Sequence, residues 1–356
     1  MAYNITPLRQ LERLYGSILR GATQLTRVSE SSERQEQLAR SSATEISASI
    51  NSARDALLER VEASSAQLRQ LNAAISQLTE QVRNQVPHNE TQRYLADLRA
   101  QVMSETPGNP AIHGWRSFSQ CDEDGIIREC LRRIGQATPL SHTFIEVGCA
   151  DGIENNTHQL VLDGFTGCWL DGDSSKIRFI EEALGSHQTP KLMVRQAFVT
   201  LESIERVIKE CRDFLNTDDI DFYSFDIDGN DLHLVRASLK LVKPKLVCVE
   251  YNAKFPPPTR LEMDYRSDHR WSGDDYYGAS LQSWVDMLEG YKLVSCNLSG
   301  VNAFFVRRDL AHCFADHGVD SLYQTARYWL VGQGGGHRAS LRWLKQSAHL
   351  QRIEGP

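Results

Sequence analysis

The chain has 356 residues, of which 41% are hydrophobic and 24% are charged, and its formal net charge is −7. This length can build one sizeable core with material left over, and the composition is that of an ordinary globular protein. The acidic balance argues against a nucleic-acid partner, which would favour a basic surplus. No stretch approaches the ~18–20 continuous apolar residues of a membrane span, and the N-terminus lacks an apolar signal core. These features predict a cytoplasmic protein without a transmembrane segment.

The eight cysteines are scattered between Cys121 and Cys313, and no two of them form a CxxC pair. Such spacing is typical of reduced, mostly buried thiols and not of a disulfide frame or a zinc site. The cysteines therefore agree with a cytoplasmic location.

Residues 1–105 are rich in Gln, Ser, Ala, Glu, Arg and Leu, and they contain neither Trp nor Phe. Apolar residues recur there in steps of three, four and seven, which is typical of a coiled-coil seam: Ile50, Leu57, Val61, Leu68, Leu71, Ile75, Leu78 and Val82. Polar residues at other seam positions leave the oligomer number open. We predict a helical oligomerisation region over 1–105, favouring a homo-oligomeric coiled coil over a helix folded back on the enzyme, and a linker over 106–114.

An earlier apolar cluster, at Leu8, Leu11, Leu14 and Ile18, leaves two interpretations open. It can form a separate short helix or an anchor on a membrane surface. Few arginines accompany it, which makes peripheral membrane association the weaker interpretation.

From about residue 115 short strand-like runs alternate with helical patterns, which predicts a parallel sheet with helices on both faces. The strand-like runs are 144–147, 167–170, 191–198, 221–227 and 245–250, and the helical patterns are 156–162, 174–184, 201–214 and 232–242. Only a short turn separates the last two runs, 291–296 and 302–306, so these must pair as an antiparallel hairpin. This ending is typical of class I methyltransferases. We predict that Rossmann-like, doubly wound α/β fold for residues 115–356.

The loop after the first strand, 144–152, reads Phe-Ile-Glu-Val-Gly-Cys-Ala-Asp-Gly and lies where a doubly wound sheet binds its ligand. Gly148 permits a tight turn, and Gly152 permits a close approach of the backbone to a ligand. An alanine stands where a dinucleotide fingerprint has its second glycine, which disfavours NAD. Glu146 and Asp151 suit a cationic ligand, and S-adenosylmethionine carries an ammonium and a sulfonium group.

The second strand ends in Trp-Leu-Asp-Gly-Asp, twenty residues beyond the first loop. A carboxylate at this place can accept both hydroxyls of a ribose. Asp171 is the first candidate for that contact and Asp173 the second. The alternative is a turn at Asp171 and a helix cap at Asp173.

A second acidic group follows the fourth and fifth strands. Asp226, Asp228, Asp231 and Glu250 should converge there, and because carboxylates in one pocket repel, they predict a bound Mg²⁺. Such an ion would lower the pKa of an acceptor hydroxyl, with Asp226 and Asp228 in the catalytic centre and His233 as a candidate general base. The alternatives are a turn at Asp228, a helix cap at Asp231 and an ordinary helical histidine.

Several segments resemble the FkbM-type methyltransferases, in a divergent bacterial branch. They are residues 119–125, 144–156, 225–229, 250–252 with 277–280, and the closing hairpin 291–308. The likeness covers roughly residues 115–335. It implies an S-adenosylmethionine-dependent O-methyltransferase acting on hydroxyls of sugars or natural products. It also implies that Glu146, Gly148, Asp151 and Asp171 contact the donor.

Two further segments bear on the site. The Asp-x-Asp-Gly segment is similar to the metal-bearing segment of macrocin-type O-methyltransferases, although Asn230 and Asp231 replace the expected histidine. Gln120 and Asp124 open a helix before the first strand and are candidates to close over the donor, with helix capping as the alternative.

A long insert between Glu250 and Ser280 mixes aromatic residues with Asp and Arg, which is typical of a sugar-binding cleft. The candidate acceptor contacts are Tyr251, Asn252, Trp271, Asp274 and Tyr276. Packing of the insert onto the sheet is the alternative. A glycine run at 333–337 predicts a flexible joint before a final helix at 339–350.

These features favour a homo-oligomeric O-methyltransferase of glycan or polysaccharide biosynthesis, with Mg²⁺ as a second candidate cofactor. Two alternatives stay open: an NAD- or nucleotide-sugar-dependent oxidoreductase, and an inactive methyltransferase-like scaffold. The acceptor itself cannot be named from these residues, because loops build its pocket.

Overall fold

The computed structural model describes residues 6–85, 88–184 and 191–330. The chain divides into two compact units, Met1–Gln85 and Val86–Pro356. The first unit is one helix, α1, which runs over Thr6–Gln85. The seam side chains that the structure describes are all exposed: Ile50, Leu57, Val61, Leu68, Leu71 and Ile75. The side chains of Leu78 and Val82, like those of Leu8 and Leu11, lie outside the described ones.

The division between the units comes earlier in the chain than the linker predicted at 106–114. Helix α2, His88–Glu105, belongs to the second unit, where Leu98 and Val102 are buried in the core. The predicted linker holds a short 3₁₀ helix, Pro110–His113, and the side chain of Asn109 caps it by accepting from the Ala111 N–H. Pro, Gly and Asn build a tight, packed turn here, and composition alone does not distinguish such a turn from a linker.

Seven strands form one mixed sheet in the order β3-β2-β1-β4-β5-β7-β6. They are β1 Thr143–Val147, β2 Thr166–Asp171, β3 Leu192–Gln196, β4 Phe222–Phe225, β5 Leu246–Glu250, β6 Tyr291–Cys296 and β7 Asn302–Arg307. The first five strands are parallel, and β7 is antiparallel to both β5 and β6. The predicted parallel sheet with a terminal antiparallel hairpin is therefore confirmed.

Helices cover both faces of the sheet. They are α3 Glu123–Ala137, α4 His158–Leu162, α5 Ser174–Leu184, α6 Ile204–Leu215, α7 Asp231–Ser238, α8 Leu281–Met287 and α9 Val319–Leu322. Side chains alternate along each strand, so Phe144 joins the core under α3, α4 and α5, whereas Ile145 joins the core under α6, α7 and α8. The sheet is doubly wound, with its winding reversed between β1 and β4.

The remaining predictions about secondary structure have different outcomes. No helix in the described ranges is both long and apolar enough to cross a membrane. The glycine run at 333–337 and the final helix at 339–350 lie outside the described residues. The predicted strand 191–198 is shorter, because the chain leaves the sheet after Gln196 and turns toward the cavity described below.

One contact in the sheet yields a stability prediction. A β-carbon on Gly167 would lie 2.1 Å from Cζ of Phe144, its partner across β1 and β2. We expect Gly167→Ala to lower the free energy of unfolding by ~1–3 kcal/mol, because the ring has no room to move in the core. Urea unfolding followed by tryptophan fluorescence reports on this unit alone, since no tryptophan precedes residue 115.

The matched control is Gly290→Ala, where an added β-carbon meets nothing within 4 Å. Its unfolding midpoint should stay at the wild-type value. Equal midpoints for the two variants would show that the ring does not fill this space.

Candidate functional site

A cavity of about 500 Å³ opens at the carboxyl ends of the central parallel strands. Its walls include Glu146 and Gly148 from the end of β1, Asp171 from β2, Asp226 from β4 and Glu250 from β5. In a doubly wound sheet this edge is the ligand-binding edge. The structure therefore brings together five residues that the sequence placed at the ends of four strands.

Gly148 makes the loop after β1 possible. Its φ is +92°, and a β-carbon there would lie 1.6 Å from the carbonyl oxygen of Asp226. Gly152 has a different role from the predicted one: a β-carbon on it would meet Trp169 and Ile180 in the core, and it does not line the cavity. The positive φ of Gly152 shapes the loop, and Asp151, which accepts from the Ile153 N–H, does the same from outside the cavity wall.

Asp171 lies at the end of β2 with both carboxylate oxygens in fixed positions. It accepts from the Ala150 N–H at 2.9 Å and from the Asp173 N–H at 2.8 Å. Asp173 also lines the cavity, but its carboxylate accepts from the backbone and hydroxyl of Ser175 at the start of α5. Of the two ribose candidates, Asp171 is the one that the protein orients toward the loop after β1.

Glu146 is buried beneath the same loop. It accepts from the Asn156 N–H at 2.9 Å and from the Thr157 hydroxyl, which in turn accepts from the Trp169 indole at 2.7 Å. Burial raises the pKa of Glu146 to about 7, against the opposing effect of these hydrogen bonds. Glu146 thus fixes the far side of the loop that bounds the cavity.

Three of the four predicted metal ligands form a compact group. One oxygen from each of Asp226, Asp228 and Glu250 lies within 4.8 Å of the others. Burial, and then the neighbouring carboxylates, raise the pKa of Asp226 and of Glu250 well above the usual range. Asp228 adopts a φ of +56°, which turns its carboxylate into this group.

The fourth predicted ligand, Asp231, does not belong to the group. Its two oxygens accept from the Ile227 N–H at 2.8 Å and the Gly229 N–H at 2.7 Å. Burial raises its pKa to about 6, although these hydrogen bonds favour the ionised form. Asp231 therefore holds the loop that presents Asp228, because each of its two oxygens accepts a hydrogen bond from a backbone N–H of that loop.

His233 and Asp124 also differ from their predicted roles. The Nε2 atom of His233 lies 2.8 Å from the Met263 carbonyl oxygen, outside both cavities, so it does not face a reacting group. Asp124 is buried, and one of its oxygens accepts from the backbone N–H groups of 117–119. That loop leads to Gln120, which does line the cavity.

A second cavity, of about 1220 Å³, adjoins the first and shares Gln120, Asp228, Glu250 and Trp271 with it. Its walls come from β5, from the insert and from the segment after β7. They include Asn252, Lys254, Asp274, Asp275, Tyr277, Tyr323 and Tyr328. Three predicted acceptor contacts, Asn252, Trp271 and Asp274, therefore line this space.

Two predicted acceptor contacts do not line either cavity. The ring of Tyr251 is buried, and its hydroxyl donates to the Gln324 carbonyl oxygen at 2.6 Å. The hydroxyl of Tyr276 accepts from the Asp264 N–H at 3.2 Å and closes the insert on itself. Tyr251 therefore connects the end of β5 to the segment after β7, and Tyr276 connects two parts of the insert.

The first cavity is also lined by residues that the motifs did not indicate. Lys176 on α5, Phe198 after β3 and three consecutive insert residues, His269, Arg270 and Trp271, line it; only Trp271 was a candidate. The position of Phe198 just after a strand was an available signal, since ligand contacts collect at strand ends. The sequence held no such signal for His269 and Arg270, because these residues reach the cavity only through the folding of the insert.

The sequence has no match among family models, and none among curated proteins. Among solved structures, an O-methyltransferase from Bacillus cereus in complex with SAH is 13% identical, over 66% of this chain and 97% of that one, with a TM-score of 0.32. An amino pentose methyltransferase from Micromonospora echinaspora with bound SAM is 12% identical, over 52% and 91%, with a TM-score of 0.32. TehB from Haemophilus influenzae is 7% identical, over 53% and 68%, also with a TM-score of 0.32.

The sheet itself indicates the fold class. Its five parallel strands and the antiparallel hairpin of β6 and β7 are the arrangement that the sequence analysis predicted for a class I methyltransferase fold.

The buried carboxyl group of Glu146 yields a pH prediction. Its folded pKa lies above the ordinary value, so the stability it contributes is present below about pH 4.5 and is lost as the pH rises through about 7. We expect the wild-type free energy of unfolding to fall between about pH 5 and about pH 8. In Glu146→Gln the fall should be smaller by ~1–3 kcal/mol, because glutamine does not ionise. Urea unfolding at several pH values measures it.

Glu205→Gln, an exposed change in the first turn of α6, serves as the control and should leave the wild-type pH dependence unchanged. Parallel curves for wild type and Glu146→Gln would contradict the prediction.

Proposed function

We propose that this chain is an S-adenosylmethionine-dependent O-methyltransferase. The observation that carries the proposal is the first cavity, which has an oriented carboxylate, Asp171, at one side and the carboxylates of Asp226 and Glu250 at the other. A ribose would bind at Asp171 through its two hydroxyls. The ammonium and sulfonium groups of the donor would relieve the repulsion that raises the pKa of Asp226 and Glu250.

The oxidoreductase alternative is not favoured by the same cavity. A dinucleotide needs free backbone N–H groups and close approach for its diphosphate. Here the Ala150 N–H donates to Asp171. The side chain of Ala150 also occupies the position where a dinucleotide fingerprint has its second glycine. A diphosphate would also meet the carboxylates that line the wall.

The second cavity supports a neutral, hydroxyl-rich acceptor such as a glycan. Trp271, Tyr277 and Tyr328 provide aromatic faces, and Asn252 provides a polar partner. Among the described residues that line this cavity, Lys254 is the only Lys or Arg, and it pairs with Asp275. A phosphate-bearing acceptor would find no unpaired Lys or Arg side chain among these lining residues.

The acidic group also fits a hard divalent cation. Asp226, Asp228 and Glu250 offer three oxygens close together, the donor set that Mg²⁺ prefers. When bound, the ion would lower the pKa of an acceptor hydroxyl. Asp231 and Gly148 hold the loops that keep these three carboxylates together.

The transfer itself is a displacement at carbon. The acceptor oxygen forms a bond to the methyl carbon of the donor, the carbon–sulfur bond breaks, and its electron pair stays on sulfur. The hydroxyl proton leaves to a base. Asp228 and Glu250 are the two carboxylates that line both cavities, and we propose that Asp228, the more exposed of the two, accepts the proton.

The N-terminal helix supports a further part of the proposal. Its seam residues have coiled-coil spacing, and the described ones, such as Leu57 and Leu68, are more than half exposed. An exposed apolar row along a helix is a typical surface for another helix. We infer that α1 pairs with copies of itself.

Calorimetry with S-adenosylhomocysteine tests the donor assignment. We expect binding to the wild type and a ~10–100-fold weaker affinity for Asp171→Asn, because a charged acceptor of ribose hydroxyls is lost. NAD should give no heat. The control is Asp163→Asn, an exposed change at the end of α4, away from the cavity.

Binding of NAD in place of S-adenosylhomocysteine would refute the proposed function. Undiminished affinity in Asp171→Asn would refute only the ribose contact. Tryptophan fluorescence confirms that each variant is folded before the comparison is made.

Mn²⁺ binding, followed by electron paramagnetic resonance, tests the metal assignment. We expect Asp228→Asn to weaken Mn²⁺ binding at least ~10-fold, because one of three anionic ligands is lost. Asparagine tolerates the left-handed backbone at this exposed position, so the variant should fold. Asp274→Asn removes an acid of the second cavity outside the group and should bind Mn²⁺ like the wild type. Equal affinities for all three proteins would exclude this metal site.

A further inference from the structure

We propose that α1 forms a parallel, two-stranded coiled coil with α1 of a second copy of this chain, over residues 50–82. The two copies lie in register, so that each seam residue faces the same residue of the other helix. This inference rests on the self-pairing of α1 in the proposed function, and it adds the number of strands, their direction and their register.

The apolar row of α1 keeps one heptad register from residue 50 to residue 82. In a coiled coil, positions a and d of each heptad alternate in steps of three and four and face the partner helix. With Val61 at a, the a positions are Arg54, Val61, Leu68, Ile75 and Val82, and the d positions are Ile50, Leu57, Ser64, Leu71 and Leu78. A repeat sustained over ~3–4 heptads already indicates a coiled coil, and this row is longer.

The residue types at a and d differ, and the difference indicates two parallel strands. β-Branched residues at a with leucine at d favour a parallel dimer, whereas isoleucine at both positions, or leucine at a with isoleucine at d, favours three or four strands. Apart from Leu68, the apolar a residues are β-branched, and apart from Ile50, the apolar d residues are leucine. An antiparallel pair would place a residues of one helix against d residues of the other, so it would not separate the two types.

One a position holds a charged residue, Arg54, whose charge is balanced on its own helix. The Nη2 and Nε atoms of Arg54 donate to the Oδ1 atom of Asp55 at 2.9 and 3.1 Å. A single polar or basic residue at a fixes the register and the strand number at a cost in stability. In register, the two Arg54 side chains share one layer and extend outward to Asp55. A shift by one heptad would instead pack Arg54 against Val61.

The flanks of the seam indicate that the partner is a second copy and not a helix of different sequence. Charged pairs at positions e and g usually select the partner of a coiled coil. Over residues 50–75 these flanking positions have a single charged residue, Arg60, among the eight: Asn51, Ala53, Leu58, Arg60, Ser65, Gln67, Asn72 and Ala74. Two copies can therefore approach without repulsion between carboxylates, although the chain is acidic, and a foreign helix would find only one charge to recognise.

Disulfide formation in the full chain tests the direction and the register. We expect Ser64→Cys, at a d position, to form an interchain disulfide rapidly under mild oxidation, because parallel helices in register place the two sulfur atoms side by side. The matched control is Ala66→Cys, two residues further along on the outer face, which should stay unlinked. The native cysteines lie between Cys121 and Cys313, and the wild type reports on them. Non-reducing gel electrophoresis measures the linked fraction, and sedimentation equilibrium should give two chains per particle.

Arg54→Val tests the seam position by a separate measurement. We expect it to lower the dissociation constant of the dimer at least ~10-fold, because a polar a residue costs stability that a β-branched one restores. Glu59→Val, on the outer face of the same helix, removes an exposed charge and should leave the dissociation constant within twofold of the wild type. Both side chains are exposed in the single chain, so neither change disturbs a packed core.

Three results would overturn the inference: two-chain particles in which Ser64→Cys stays unlinked or links no faster than Ala66→Cys, particles of three or more chains, and an unchanged dissociation constant in Arg54→Val. Single chains in the wild type would refute the self-pairing of α1 itself. None of these results bears on donor binding, which the calorimetry with S-adenosylhomocysteine decides separately.

Discussion

The backbone of Gly148 passes so close to the end of β4 that a β-carbon would lie 1.6 Å from the carbonyl oxygen of Asp226. This contact holds the end of β1 against the end of β4 at the carboxyl edge of the sheet. It lets the loop after β1 turn over β2, where Asp171 receives the Ala150 N–H, while leaving room for the acidic group beside it. Any other residue would push the two strand ends apart and open the cavity between them.

The acidic group gives this edge its chemical character. Several carboxylates share a small space, and burial and mutual repulsion raise the pKa of Asp226 and of Glu250. Such an arrangement is costly without a counter-charge, so it is more consistent with a cationic ligand or a metal ion than with a purely structural role. The donor and Mg²⁺ of the proposed function both supply positive charge at this place.

The loop after β4 performs two tasks with neighbouring residues. Asp226 and Asp228 contribute to the acidic group, whereas Gly229 and Asn230 anchor the insert. Asn230 follows the Asp-x-Asp-Gly segment, and its amide makes two hydrogen bonds to the insert backbone. The insert thereby brings its own histidine, His269, against the same loop.

The sequence by itself determined the sheet, the hairpin and the strand ends that meet, because periodicity and short connections are local and restrict the topology. It also placed Glu146, Asp171, Asp226 and Glu250 at one edge. Only the tertiary structure decided which carboxylates face the cavity. Asp231 and Asp124 turn to backbone N–H groups near in sequence, and His233 turns to a carbonyl of the insert. The contact between Phe198 and Arg270 also came from tertiary folding, since the side chains of a loop are oriented by what the loop packs against.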